Sequence, residues 1–405
     1  MISYAEALAS ILASTPPLPS CSLPLEQATG QVLAETVTAR WDMPPWDNSA
    51  MDGFALAQAS LAGETPLPVV GQSFAGHPWD KTLAAGEAIQ ITTGAPMPAG
   101  ADTVIPLEDC RLEDQQLIPT RPVKPGQHVR YRGEEFFSGD TLLNAGTELR
   151  AGAVVLLAAA GISRVSVIPR PRVAVFSTGD ELVELGQELQ PGQIINSNLP
   201  YLCARLRECG CDPMPLGIGT DRCENLADLI NRAREADLIL STGGVSVGER
   251  DLVQDTLMNH GFDRKFWKVR IKPGKPVLFG LLDGKPCFGL PGNPASTAIT
   301  FELFVLPALR QLAGLPPTRQ PLRATLTHDL RGGGNRQNFL WARCRWQEDG
   351  LMAEVPQRQA SGQARSIQGA NAIANLPIGS PPLAAGETIE IIPLHAASFF
   401  PYEDR

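Results

Sequence analysis

The chain has 405 residues, 43% of them hydrophobic and 19% charged, enough for two to four compact domains and too apolar for a disordered chain. Thirty-four basic against 43 acidic side chains leave a net charge of −9, which argues against a general nucleic-acid binder, because such proteins concentrate positive charge against phosphates. No run approaches the roughly 18 apolar residues of a membrane helix, and Met1 to Glu6 is not a basic segment leading into an apolar core, so a cytoplasmic protein that engages neither membrane nor nucleic acid is expected. The cysteines (Cys21, Cys110, Cys203, Cys209, Cys211, Cys223, Cys287, Cys344) contain no Cys-x-x-Cys pair, and the histidines form no short-spaced set. A zinc finger is therefore not expected, and the thiols read as small buried residues of a reducing compartment.

Apolar residues at helical spacing predict helices over residues 3–12 and 25–35, with Thr15-Pro16-Pro17 closing the first. Between residues 43 and 139 the pattern changes to brief β-like runs, such as 88–92 and 103–105, punctuated by Gly and Pro. This predicts a small, mainly β domain. Within it Asn48-Ser49-Ala50-Met51-Asp52-Gly53 puts Asp52 either in contact with metal or substrate, or in a plain Asp-Gly turn. Thr92-Thr93-Gly94-Ala95-Pro96 and Arg130-Tyr131-Arg132-Gly133-Glu134-Glu135 leave the same choice open. Residues 151–161 read as an apolar helix.

From 172 to 315 strands and helices alternate: a strand at 172–176, a helical face of Leu199, Leu202, Cys203, Leu206 and Cys209, a strand at 214–218, a helix burying Leu226, Leu229, Ile230 and Ala233, and a strand at 237–240. Repeated βα units predict a mostly parallel sheet covered on both faces, with ligands beyond the carboxyl ends of its strands. Three loops fall there. Ser177-Thr178-Gly179-Asp180-Glu181 offers two acids, which suit a hydrated divalent cation or a helix N-cap equally well. Thr242-Gly243-Gly244-Val245-Ser246 offers bare amides and a hydroxyl for an anionic oxygen, without dinucleotide or P-loop spacing. Leu290-Pro291-Gly292-Asn293-Pro294 turns into a helix near Pro294 whose other first-turn amides are expected to face a ligand. Just before it, Lys272-Pro273-Gly274-Lys275 sets two ammonium groups in a stiff turn, as point charges for an anion or as solvated surface lysines.

After residue 317 the pattern returns to strands, including 339–346 and 388–392. Residues 319–365 hold eight arginines (Arg319, Arg323, Arg331, Arg336, Arg343, Arg345, Arg358, Arg365), no lysine and four acids. Guanidinium donors match phosphate or oxyanion oxygens, and Arg336, behind the flexible Gly332-Gly333-Gly334-Asn335, is the favoured member.

Taken in their order, Asn48 to Gly53, Thr93 to Pro96, Arg132-Gly133-Glu134, Ser177 to Leu182, Gly243 to Gly248, Lys272 to Pro276 and Leu290 to Pro294 resemble the molybdopterin molybdenumtransferases, the MoeA family to which the gephyrin E-domain belongs. The resemblance runs from about Tyr4 to Ile392. It implies a multidomain α/β plus β protein: an N-terminal helical, elongated domain (1–42 and 139–168), a mainly β domain (43–138), a MogA-like α/β domain (169–317) and a C-terminal β-barrel-like domain (318–405). It implies an enzyme that takes adenylylated molybdopterin and molybdate, cleaves the pyrophosphate link with a divalent cation such as Mg²⁺, and releases AMP with molybdenum on the dithiolene. It further implies a homodimer with each cleft shared between the α/β domain of one chain and the Asp52 domain of the other, and the adenylylating enzyme and molybdoenzyme maturation factors as partners.

Carried over motif by motif, the resemblance assigns catalysis to Asp52, Glu181, Asp251, Lys272 and Lys275, with Glu181, Asp221 and Asp251 toward the metal. Substrate contacts fall to Thr93, Ser177, Thr178, Gly179, Gly243, Gly244, Ser246, Pro291, Gly292, Arg336 and Ser361. Two positions depart from the family pattern. Glu135 stands where Asp is common after Arg-Gly-Glu, so its carboxylate reaches one methylene further. Asn196 begins Asn196-Ser197-Asn198 where the family often has Asp, which removes a negative charge. A molybdopterin adenylyltransferase built on a related α/β domain, and a gephyrin-like scaffold without catalysis, are the alternatives. The additional N- and C-terminal domains count against the first, and the retained acids and lysines against the second.

Overall fold

Helix α1 (Tyr4–Ala13) opens the chain in a capping box: the Ser3 hydroxyl accepts the Glu6 N–H at 3.2 Å and the Glu6 carboxylate accepts the Ser3 N–H at 2.7 Å. The computed structural model describes residues 1–62, 66–220, 222–244, 252–356 and 359–394. Two compact units emerge, one of residues 1–22, 30–34 and 166–405, the other of residues 23–29 and 35–165.

The helix expected over residues 25–35 does not form. A 3₁₀ turn, Leu25–Gln27, gives way to the short strand Val32–Leu33. Gly30 takes φ +78°, which ends helical winding, and Val32 and Leu33 bury both their faces while pairing with Ile168 and Val167.

The smaller unit is built on β1 (Gly53–Leu56), β2 (Leu67–Ser73), β3 (Ala88–Ile91), β4 (Thr103–Pro106), β5 (Cys110–Glu113) and β6 (Gln116–Pro119), in the sheet order β4-β1-β3-β2-β6-β5. Successive residues alternate between faces, so Phe54 and Leu56 pack with Leu67, Ile105 and Leu117, while Ala55 packs with Ile89, Ile91 and Val104 on the opposite side. Gly53 is not a turn glycine: a Cβ there would lie 2.0 Å from the Ile105 carbonyl oxygen, so the strand pair requires a residue without one. Helix α2 (Ala151–Ala159) closes this unit.

In the larger unit, β7 (Arg172–Thr178), α3 (Asn198–Glu208), β8 (Asp212–Gly219), α4 (Cys223–Ala233), β9 (Leu238–Thr242), α5 (Leu252–Asn259), β10 (Asp263–Trp267), β11 (Leu278–Leu282) and β12 (Lys285–Leu290) form one α/β domain. The sheet order is β8-β7-β9-β12-β11-β10. Its first four strands are parallel and its last two antiparallel. Both faces are apolar: Val173, Val175, Leu238 and Leu240 belong to one core, Ala174, Phe176 and Ile239 to the other. Helix α6 (Pro294–Thr300) continues through a π-helical turn, Phe301–Val305, into α7 (Leu306–Leu312).

Strands β13 (Leu322–Leu326), β14 (Gln337–Gln347), β15 (Gly350–Glu354), β16 (Ala372–Leu376) and β17 (Thr388–Pro393) then close a barrel in the cycle β14-β15-β13-β17-β16. The loop at Gly332-Gly333-Gly334, expected to be flexible, is pressed flat instead. Gly333 donates its N–H to Ser380 at 2.9 Å, and a Cβ at Gly332 or Gly333 would come within 2.5 or 2.4 Å of the Ser380 or Pro377 carbonyl oxygen.

A buried ion cluster ties this unit together. Glu302, on the π-helical turn, accepts from Arg205 Nε of α3 at 2.6 Å and from Arg319, the residue that leads into the barrel. Arg319 also donates to the Pro393 carbonyl at the end of β17, so it serves the fold and not an oxyanion. Burial alone would raise the Glu302 carboxyl, but Arg319 and Arg205 hold it below the ordinary carboxylate range. A carboxylate depressed in the fold stabilises it at pH values above its unfolded pKa and loses that effect as pH falls through the folded value. Glu302→Ala, which strands two largely buried guanidinium groups, is expected to cost about 3–5 kcal/mol, read as a lower urea midpoint of this unit at pH 7, with the gap to wild type narrowing in acid.

Candidate functional site

The carboxyl ends of β7, β9 and β12 lie side by side because parallel neighbours all point the same way. They open into a recess of about 340 Å³ lined by Thr178, Glu181, Leu182, Ile194, Asn198, Thr242, Gly243, Gly244, Pro276 and residues 291–293. Gly243 has φ +86°, and a Cβ on it would stand 2.3 Å from the Thr178 carbonyl oxygen. Only glycine permits this approach of loop to strand. The Gly243 N–H donates to the Leu290 carbonyl at 3.2 Å, so this amide is not available to an anion as its motif suggested.

No helix begins at Asp180 or Glu181, which removes the N-cap reading. Leu182–Val183 instead pairs in parallel with Ile194–Ile195, and the helix starts only at Asn198. Glu181 is left exposed over Gly179, at the recess wall. Ser177 and Gly179 do not line the recess. Ser177 is fully buried, accepting from Thr242 Oγ1 at 2.9 Å and donating to Asn196 Oδ1 at 3.0 Å. The Leu199 N–H also donates to Asn196 Oδ1, at 3.3 Å, so the amide of this departing residue supports the start of α3 from beneath. Asn198 Nδ2 reaches across to the Gly292 carbonyl at 2.8 Å and holds the strand-end loops together.

A larger cavity of about 730 Å³ adjoins the recess, sharing Pro276, Pro291 and Asn293 with it. A short strand, Ile271–Lys272, makes one wall by pairing in parallel with Gln337 and Asn338 of β14. This pairing sets Lys272 beside Arg336, whose Nη1 donates to the Ile271 carbonyl at 3.4 Å. Lys272, Lys275, Arg331 and Arg336 all line the cavity, and no acid is among its described lining residues. Ser361 joins from the barrel side, its carbonyl accepting the Ala295 N–H at 3.0 Å and its hydroxyl accepting from Asn293 Nδ2 at 3.2 Å. The bond from Ala295 occupies an amide of the first turn of α6 that was expected to face a ligand.

Asp52 and Thr93 meet in the smaller unit. Asp52 Oδ1 accepts the Thr93 N–H at 2.6 Å and the Thr93 hydroxyl at 2.9 Å, and these bonds, the backbone one foremost, hold its exposed carboxyl below the usual range. On the same unit Arg132 pairs with Asp42 at 2.5 Å while the Glu135 N–H bonds to the Met43 carbonyl. Asp221, Ser246 and Asp251 lie outside the described residues, as does Arg358. Trp341 and Gln359, which also line the larger cavity, had no local signal, and Arg331, which lines it too, was one of eight arginines that nothing local set apart. Trp341 sits in an apolar alternation that reads as core, and Gln359 belongs to a polar loop.

The recess offers a cation the exposed Glu181 carboxylate, the Thr178 and Thr242 hydroxyls being buried and hydrogen-bonded within the fold, and neither imidazole nor thiolate is among its described lining residues. A carboxylate oxygen suits a hard ion such as Mg²⁺. Among the described residues no three His, Cys, Asp or Glu side chains cluster, so such an ion would draw its other ligands from water and substrate phosphate, its ordinary habit. The eight cysteines form no disulfide, and burial pushes the Cys211, Cys287 and Cys344 thiols up to about 12. Among the described residues no helix is long and apolar enough to cross a membrane.

Three family models match: "MoeA N-terminal region (domain I and II)" over residues 2–161, "Probable molybdopterin binding domain" over 174–311, and "MoeA C-terminal region (domain IV)" over 323–394. The molybdopterin molybdenumtransferase of Nostoc sp. is 38% identical over 380 residues, 91% of this chain and 87% of that protein. The one of Synechococcus elongatus is 36% identical over 404 residues, 96% of this chain and 99% of that one. A crystal structure of a molybdopterin biosynthesis MoeA protein from Pyrococcus horikoshii superposes with a TM-score of 0.84 at 31% identity, covering 98% of this chain and 100% of that chain. Sequence motifs, the parallel sheet with its strand-end recess, the closed barrel and these likenesses over nearly the full length agree, and the chain belongs to the MoeA family of molybdopterin molybdenumtransferases.

Proposed function

We propose that this protein inserts molybdate into adenylylated molybdopterin and releases AMP. The observation that carries the reading is the pair of adjoining hollows at the strand ends: among the described residues, one is walled by four cations without an acid, the other lined by glycine, threonine and Glu181. Lys272, Lys275 and Arg336 hold the oxyanion and phosphate oxygens. Ser361 orients them, and Thr178, Gly243, Gly244, Pro291 and Gly292 shape the bed for the nucleotide-linked pterin. Cleaving the phosphoanhydride asks for positioning and charge neutralisation more than covalent help. Glu181 would hold Mg²⁺, with Asp221 and Asp251 as its companions in the motif reading. Once bound, that ion neutralises charge on the pyrophosphate.

The working form in this reading is a homodimer, in which Asp52 and Thr93 of one chain complete the cleft of the other. A cytoplasmic setting suits the free thiols. There the adenylylating enzyme would supply the substrate and molybdoenzyme maturation factors would take the product.

Purified protein with Mg²⁺, molybdate and adenylylated molybdopterin is expected to release AMP. Asp52→Ala, Glu181→Ala and Lys275→Ala should each lower kcat/KM by roughly 10²-fold or more, and rates equal to wild type in all three would refute the assignment. ATP-dependent formation of the adenylylated intermediate would instead favour the adenylyltransferase reading. Mixing Asp52→Ala with Lys275→Ala subunits should restore activity in the heterodimer, since one of its two clefts is then intact; no recovery would argue that each cleft belongs to a single chain. Thr93→Val removes the hydroxyl bond to Asp52 and is expected to raise the carboxyl's pKa toward the ordinary range. The acidic limb of the pH–rate profile should move to higher pH, and carbonyl-carbon NMR of Asp52 reads the same shift directly.

A further inference from the structure

Trp341 of β14 lines the cation-walled cavity, is only 2% exposed, and has an indole N–H without a hydrogen-bond partner among the described residues. A buried tryptophan N–H ordinarily finds a partner, because a buried donor left unmet destabilises the fold. The residue does not reach this state through loose packing. Its backbone is gripped on both sides by Gln359, whose Oε1 accepts the Trp341 N–H at 2.8 Å and whose Nε2 donates to the Trp341 carbonyl at 2.9 Å. The same Nε2 donates to Pro356 at 3.0 Å, and Trp341 is in register with Ile373 on the neighbouring barrel strand.

An indole N–H donates and accepts nothing. Among the described residues, the cavity that Trp341 lines presents Lys272, Lys275, Arg331 and Arg336 and no acid. An unmet donor amid cations is the arrangement a cavity leaves when the missing acceptor arrives with the ligand. Building on the reading of this cavity as the oxyanion site, we infer that Trp341 is a further substrate-binding residue, whose indole N–H donates to an oxygen of the tetrahedral oxyanion. It adds direction without charge. Because every corner of molybdate or tungstate is a bare oxygen at neutral pH, either fits this donor in any rotation, whereas hydrogen phosphate carries one corner that is itself a donor.

Trp341→Phe keeps a buried ring and removes only the N–H. In the full-length protein, calorimetric titration with sodium molybdate is expected to show an affinity three- to tenfold weaker than wild type, with thermal stability of the ligand-free protein unchanged or slightly raised. Arg336→Ala and Lys275→Ala separate the two layers of the argument. If both leave molybdate affinity intact, the cavity is not the oxyanion site and the underlying reading fails. If they weaken binding while Trp341→Phe does not, the site stands and the role of Trp341 is overturned. A lower ligand-free melting temperature for Trp341→Phe with unchanged affinity would mark the N–H as structural and overturn it too. In the wild-type protein, where folding of a variant is not at issue, one of the six indole N–H signals should move on adding molybdate. None moving would also count against it.

Discussion

Two residues of parallel β pairing, Ile271 with Gln337 and Lys272 with Asn338, join the α/β domain to the barrel, and the principal cavity depends on that junction. Without it Lys272 and Lys275 would sit on one domain and Arg331, Arg336 and Ser361 on another, each a solvated charge or hydroxyl of little consequence. Backbone pairing is well suited to this task because its register is set by hydrogen bonds at fixed spacing and not by flexible side chains. It therefore places cations from segments about sixty residues apart with the precision of a sheet.

The resulting charge distribution runs against the molecule's overall balance. A protein of net charge −9 keeps a cavity whose described lining holds four cations and no acid. Clustered like charges repel, so the arrangement is unfavourable until an anion enters, and the low-dielectric walls of Phe339, Leu340 and the prolines strengthen the attraction when it does. An acid, Glu181, stands instead in the adjoining recess. Holding the two charge types in neighbouring hollows avoids an internal ion pair that would cancel both.

Behind these hollows, the Glu302 cluster fixes the helices that carry their loops. Arg205 belongs to α3, whose first residue Asn198 holds the Gly292 carbonyl, and Glu302 belongs to the helical run that begins at Pro294 beside the cavity. Burying one carboxylate with two guanidinium groups is poor value as raw stability. Its geometry is directional, however, and it links α3, the π-helical turn and the end of β17 in one arrangement.

The sequence by itself determined the α/β core, the return to strands at the C-terminus and the motifs of the strand-end loops, because periodicity and turn chemistry are local properties that survive in one dimension. The alternation of apolar strands with helical faces from residue 172 onward was legible, as were Lys272, Lys275 and Arg336. The helix expected over residues 25–35 was not to be had from spacing, since Val32 and Leu33 satisfy either period and the choice fell to their pairing with Val167 and Ile168. Arginine count could not separate Arg319, spent on a buried carboxylate, from Arg331 and Arg336, which face a cavity. Nor could it show that Gly243, Ala295 and Gly333 had already committed their amides to carbonyls distant in the chain. Those outcomes belonged to the tertiary structure, because whether a donor is free depends on which distant acceptor packing brings within reach, and composition and spacing do not encode that distance.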